Sequence, residues 1–159
     1  MAVKSDIDIL GDLWEGFENF FIYHENSNFK KEYKTQKEKY KKDILELNFS
    51  ENPTRWTLVA EIDRNIVGQI SWMKLYMANT PPVFHYRLSG IYVTQDYRNM
   101  GIGKKLFIEL KEIAKKEKIS AIKWGVWGKN ETAKQFYNTI EGKYDHLEND
   151  EWSLHYTIV

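Results

Sequence analysis

The stretch that most restricts the fold is LSGIYVTQDYRNMGIGKKLFIELKEIAKK, residues 88–116. It holds an apolar strand-like run, a turn with Gly101 and Gly103, and an amphipathic helix. Glycine inside a helix costs roughly 1 kcal/mol relative to alanine, yet Gly103 stands where this helix begins. A ligand that needs bare backbone would account for that cost. The first N–H groups of a helix lack internal partners, and the aligned peptide dipoles add about half a positive charge there. Strand, glycine turn and helix therefore read as a phosphate-binding unit. Lys104 and Lys105 add charge to it, and Arg98 brackets its other side.

The rest of the chain supplies a sheet for that strand. SDIDILGDLWEGFENFFIYH is helical, with Leu10, Leu13, Trp14, Phe17, Phe20 and Phe21 at three- and four-residue steps and Ser5–Asp8 as a possible capping box. NFKKEYKTQKEKYKKDILELNF is a second helix. Phe29, Tyr33, Tyr40, Ile44 and Leu47 form one stripe, and Lys30, Lys34, Lys37 and Lys41 another, which reads as a solvated face. After ENP the period shortens. RWTLVAEI and IVGQISWMKLY flank a DRN turn as a hairpin, MANTPPV is a loop, and FHYRLSGIYV is the next strand. The helix from Gly101 to Lys118 turns Ile102, Leu106, Leu110 and Ile113 inward. ISAIKWGVW is a strand, NETAKQFYNTI a short helix, and GKYDHL with EWSLHYTI a closing antiparallel pair. The pattern is a mixed α/β domain with a central sheet.

Composition excludes several chemistries. Lys+Arg and Asp+Glu are both 23, so bulk electrostatic attraction to nucleic acid is not expected. With no cysteine, disulfides, thiolate catalysis and Cys-based zinc sites are excluded. His24, His146 and His155 show no metal-ligand spacing, so no metal is expected. MAVKSDIDILGD has no apolar signal region, and no run reaches the roughly 18 apolar residues of a membrane span. That suggests a cytoplasmic protein without a membrane partner.

Three patterns use such a glycine turn. A Walker loop needs glycine at position 98 and Ser or Thr at 105, where Arg98 and Lys105 stand. A dinucleotide fingerprint needs glycine at Leu106. The third pattern, Arg/Gln-x-x-Gly-x-Gly/Ala, is met by RNMGIG. By chance it should occur in roughly one chain in seven of this length, with glycine near 7% of residues. Its surroundings sharpen it: LSGIYV precedes it, and VWGKNETAKQFYNTIEGKY follows, with Asn130, Ala133, Phe136 and Tyr137 in an Asn-x-x-Ala-x-x-Phe-Tyr segment. Over roughly Arg55 to Val159 the chain resembles the GCN5-related N-acetyltransferases, the GNAT superfamily.

The resemblance implies one N-acetyltransferase domain over 1–159. Residues 1–50 would be a variable helical acceptor side, and 55–159 the acetyl-CoA-binding core. The implied fold is a central, mostly antiparallel twisted sheet with helices on both faces and a splayed strand pair holding the cofactor. A first strand is nearly missing, since only MAVK precedes the first helix. By resemblance, the backbone of Ile91, Tyr92 and Val93 pairs with the pantetheine arm, and Arg98, Asn99, Met100, Gly101, Ile102, Gly103 and Lys104 wrap the pyrophosphate. Asn130 bonds the pantetheine and also suits an N-cap. Tyr137 protonates the leaving thiolate, although its stripe with Ala133, Phe136 and Ile140 would equally make it core.

The implied reaction is direct attack of a primary amine on the thioester. An amine of pKa about 10.4 is neutral in roughly one molecule in 2,500 at pH 7, so a general base is useful. The polyamine branch of the family places a glutamate where this chain has Ser89. Glu61, His85 and Tyr92 acting through water are the remaining candidates. Trp14, Phe17, Phe21, Tyr23 and Trp56 could line an acceptor pocket between the first two helices and the sheet. Asp145, Glu148, Asp150 and Glu151 could attract a cationic amine or simply be solvated. The acceptor would be a small amine such as a polyamine or aminoglycoside. The alternatives are a protein or peptide amine, or a non-catalytic acyl-CoA sensor. The family's habit of pairing implies a possible homodimer, with EWSLHYTIV contributing.

Overall fold

The structure, a computed structural model, describes residues 1–24, 36–77, 83–148 and 151–158, without the side chains at 20–24, 36, 77, 127, 145–148, 151–154 and 157. A 3-10 turn, Lys4–Asp6, leads into α1, Ile7–His24. Its cap is not the Ser5–Asp8 pair. The Val3 N–H donates to Asp6 Oδ2 at 2.8 Å, because the 3-10 turn moves the first unpaired N–H groups upstream of Ser5. The second helix, α2, spans Gln36–Phe49. Phe29, Tyr33, Lys30 and Lys34 lie outside the described residues. Lys37 pairs with Asp12 and Glu15, and Lys41 with Asp8 and Glu38. These two lysines therefore knit α2 to α1 rather than forming a solvated face.

Strands β1, Arg55–Ile62, and β2, Asn65–Met77, flank a two-residue turn. Asp63 (φ 49°) and Arg64 (φ 65°) are both left-handed there, the type I′ geometry that matches strand twist. The remaining elements are β3 (Val83–Val93), α3 (Ile102–Lys116), β4 (Ala121–Trp127), α4 (Glu131–Thr139), β5 (Lys143–Glu148) and β6 (Glu151–Thr157). Ahead of α1 no strand forms among the described residues; Ala2 N–H donates to Thr57 O at 2.9 Å.

The six strands run in the order β1-β2-β3-β4-β6-β5. β3 and β4 are parallel, from His85↔Ala121 to Arg87↔Lys123, which requires a crossover, and α3 lies in that connection. Their pairing ends there, although β3 continues to Val93 and β4 to Trp127. β6 is antiparallel to both β4 and β5. The fold is thus a mixed α/β arrangement around a mostly antiparallel sheet, as expected.

The chain forms two compact units. Met1–Ser71 with Gly90–Gly103 makes one, and Trp72–Ser89 with Lys104–Val159 the other. In the first, Leu10, Leu13, Ile44, Val67 and Ile70 are buried. Beside them runs a polar chain: Arg55 Nε donates to Asn48 Oδ1 (2.9 Å), Asn48 Nδ2 to Thr57 Oγ1 (2.8 Å), and Thr57 meets Ser71 Oγ (2.9 Å). In the second, Trp72, Tyr86, Phe107, Leu110, Ala114, Ile122 and Trp124 are buried. Phe107 packs edge-on to Trp124 (5.6 Å) and Tyr156 (6.1 Å), so it joins the inner face of α3, while Ile113 is only half-buried. Among the described residues, no helix is long and apolar enough to cross a membrane.

Candidate active site

In the first unit, the end of β3 is tied to β2. Thr94 donates to Val67 O from its backbone N–H (2.9 Å) and its hydroxyl (3.2 Å). A Cβ on Gly68 would come 3.0 Å from Tyr92 O and 3.2 Å from Val93 Cγ2, so glycine lets the backbones approach. After a 3-10 turn at Gln95–Tyr97 the chain reaches Arg98. Arg98 Nε donates to Val93 O at 3.0 Å, and its guanidinium lies 5.4 Å from the Tyr92 ring centroid. The backbone of the strand end thus orients the cation.

Asn99 (φ 62°) and Gly101 (φ 76°) are both left-handed. At Gly101 a Cβ would meet nothing within 4 Å. Conformation rather than crowding selects glycine there, and the peptide face is open to a ligand. α3 starts at Ile102 with no acidic residue in its first turn. Met100 and Gly101 are exposed, whereas Ile102 is buried, so only the backbone of Ile102 is available. In the second unit, Lys104 and Lys105 are exposed in the next positions of α3. A helix start with bare N–H groups, adjacent cations and no carboxylate suits an anionic phosphate group.

Tyr92 is gripped from α1. A Cβ on Gly16 would fall 2.4 Å from the Tyr92 hydroxyl, and Phe17 meets the Tyr92 ring edge-on at 6.3 Å. Phe17 also covers Gly90, at 3.6 Å from where a Cβ would sit. One turn back, Trp14 stacks on Tyr40 of α2 at 4.4 Å. Arg55 lies 5.4 Å from that tyrosine ring. Burial pushes the Tyr40 phenol up, with Glu18 and Asp43 adding to the rise and Arg55 and a bond with Gln69 opposing it. Burial alone raises the Glu18 carboxyl. Trp56 is half-buried. Of the other acceptor-side residues expected, the side chains of Phe21, Tyr23, Asp145, Glu148 and Glu151, and residue Asp150, lie outside the described residues.

In the second unit, Asn130 caps α4, its Oδ1 accepting from Ala133 N–H at 3.0 Å. The cap uses the amide oxygen. Tyr137 is buried, 5.1 Å from Trp124 and 5.3 Å from Phe136 between ring centroids. Burial pushes its phenol well above the ordinary range, so it stays protonated. Of the candidate bases, Glu61 is exposed on β1. His85 is buried and held below its usual value by burial, then by Lys123 and Arg87. Tyr92 faces Gly16. From sequence, Tyr40 was placed only in an apolar stripe, and Glu18 and Gly16 were given no part. Gly16 carried a signal, because a glycine inside an apolar helix pattern marks a close approach.

A family model described as the acetyltransferase (GNAT) family matches residues 17–140. Among solved structures, the PaiA N-acetyltransferase of Thermoplasma acidophilum, crystallised with coenzyme A, superposes with TM-score 0.82 at 18% identity, covering 98% of this chain and 95% of that one. A GNAT-family acetyltransferase of Staphylococcus aureus Mu50 gives 0.70 at 20%, covering 99% and 96%. The ribosomal-protein-alanine N-acetyltransferase of Brucella melitensis biovar Abortus 2308 gives 0.69 at 18%, covering 92% and 93%. At these identities the likeness is one of fold.

Proposed function

The chain belongs to the acetyltransferase (GNAT) family, and from that membership we propose that it transfers an acetyl group from acetyl-CoA to the primary amine of a small molecule. The observation that carries the reading is the helix start at Ile102. Its first turn has no carboxylate, and Gly101 is left-handed with open space beside it. Those features fit a pyrophosphate, and the coenzyme A held by the Thermoplasma neighbour supports the same ligand here. The co-substrate brings the activated thioester; the chain binds, orients and moves protons.

In this reading Arg98, Asn99, Met100, Gly101, Ile102, Gly103 and Lys104 hold the pyrophosphate. The backbone of Ile91, Tyr92 and Val93 pairs with the pantetheine arm and aligns the thioester, and a backbone N–H there stabilises the developing oxyanion. Asn130 adds a bond to the arm through its amide nitrogen, since its oxygen caps α4. Tyr137 faces the leaving sulfur. A phenol at its ordinary value already sits about 1.5 units above a thiol, and burial widens that gap. Tyr137 therefore donates a hydrogen bond to the sulfur without giving up its proton. A hydrogen bond to a charged group is worth about 1.5–3 kcal/mol. Tyr137→Phe should lower kcat about 10- to 100-fold and leave the Kd for acetyl-CoA unchanged; unaltered turnover would remove Tyr137 from the mechanism.

The name of the Brucella neighbour favours a second acceptor class, a protein N-terminus. Acetyl-CoA-dependent thiol release across polyamines, aminoglycosides, amino acids and short peptides separates the two. The chain has no cysteine and adds no background to a thiol reagent. Release with small amines supports the reading, release with peptides alone moves the acceptor to protein, and no release with any amine overturns it.

A further inference from the structure

The acceptor amine arrives mostly protonated, and the residue that takes its proton has no sequence motif in this chain. Four observations in the first unit converge on one carboxylate. Glu18 is half-buried on α1. Its neighbour Phe17 covers Gly90 and meets Tyr92 edge-on, so this turn of α1 lies against the strand end that aligns the thioester. Trp14, four residues earlier on the same helical face, stacks on Tyr40. The Glu18 charge is felt at the Tyr40 phenol, which also bonds Gln69 of β2. A half-buried carboxylate normally finds a cation. Of the described cations on α2 and β1, Lys37 pairs with Asp12 and Glu15 and Lys41 with Asp8 and Glu38, while Arg55 bonds Asn48 through Nε and leaves its buried Nη2 without a hydrogen-bond partner among the described residues. Arg98 is oriented by Val93 O and Tyr92.

We propose that Glu18 is the catalytic base of this acyl transfer, receiving the ammonium proton of the acceptor beside the aromatic surface of Trp14 and Tyr40; the proposal rests on the acetyltransferase reading above. The cation pairs with the carboxylate. One ammonium proton passes to Glu18. The freed nitrogen lone pair forms the C–N bond at the acetyl carbon, and the C–S bond breaks with its electron pair on sulfur. A second nitrogen proton goes to that sulfur, the third stays on the amide, and Glu18 releases its own to water. Burial raises the Glu18 carboxyl and narrows the gap to an amine, the direction a base needs.

A group raised by burial also marks its own removal. The native state binds the Glu18 proton more tightly than the unfolded chain, so stability falls as pH rises from the ordinary carboxylate value through the raised one. The charged groups felt at Tyr40, as Glu18 is, are Arg55 and Asp43; α1 and α2 carry the paired Asp8, Asp12, Glu15, Lys37, Glu38 and Lys41, and Arg98 lies over Tyr92. Glu18→Gln leaves each of them in place.

The test compares wild type with Glu18→Gln, using spermidine and an alanine-initiated tetrapeptide as acceptor probes. The variant should lose about 100-fold or more in kcat/KM for the acceptor and lose the acid limb of the pH profile. It should keep the wild-type Kd for acetyl-CoA and melt higher at neutral pH. Wild-type kcat/KM with an unchanged acid limb overturns the base assignment alone. A variant that melts lower and also binds acetyl-CoA poorly overturns it in favour of a structural role. Where wild type turns over neither probe, the acceptor that gives thiol release in the amine panel replaces them, and wild type that turns over no amine of the panel overturns the acetyltransferase reading, with Glu18 falling with it.

Discussion

Gly16 sits in the interior of α1, where alanine would favour the helix by roughly 1 kcal/mol. The added Cβ would lie 2.4 Å from the Tyr92 hydroxyl and 2.9 Å from Cζ, so the ring must move. Displacing a packed side chain costs typically about 1–3 kcal/mol. Gly16→Ala should therefore lower the urea midpoint despite the better helix former. In a Tyr92→Phe background the loss should shrink, because the nearest atom is gone. Equal losses in both backgrounds would show that the contact with Tyr92 is not the cause. The same comparison reads function, since Tyr92 also stacks under Arg98. A shifted ring would raise the KM for acetyl-CoA.

At the level of elements, the hairpin β1–β2 carries a conformational cost. Its turn needs positive φ at both central residues, and Arg64 adopts φ 65° with a side chain attached. Left-handed backbone costs an L-residue about 1–2 kcal/mol, while glycine gives back about 0.5–1 in unfolded-state entropy. Arg64→Gly should stabilise the protein by about 0.5–1 kcal/mol, read as a higher denaturation midpoint with an unchanged slope. A lower midpoint would mean that Arg64 makes a compensating contact. The pairing of α1 with α2 works differently. Lys37 and Lys41 bind carboxylates across the helix pair, which ties a basic-looking helix to its acidic neighbour.

For the molecule as a whole, acid stability reports on His85. It is buried among Arg87 on its own strand and Lys123 on β4, and all these influences disfavour its protonated form. Below its ordinary value of 6.5 the unfolded chain takes up a proton that native His85 resists. The contribution to stability is complete above that value and is lost as pH falls through the lowered one. Urea midpoints should decline between about pH 6.5 and 5, where histidine titrates, and His85→Gln should flatten that decline. An equal slope in the variant would assign the acid response to other groups.

Periodicity and turn chemistry are local, so the sequence by itself determined the element order, the mixed α/β class and the glycine turn leading into α3. The change from helical to strand spacing at Arg55 and the glycine turn at Gly101 and Gly103 are written within a few residues. Asn130 as a cap was legible for the same reason. Burial and charge pairing depend on residues far apart in the chain, and only the tertiary structure decided them. It moved the first cap to Val3 and Asp6, drew Lys37 and Lys41 onto α1, and brought Phe107 into the core in preference to Ile113. It also set Glu18 near Tyr40 and half-buried it, which raises its carboxyl. No local pattern distinguishes that carboxylate from Glu15 three residues earlier, because what separates them is which neighbours fold against each.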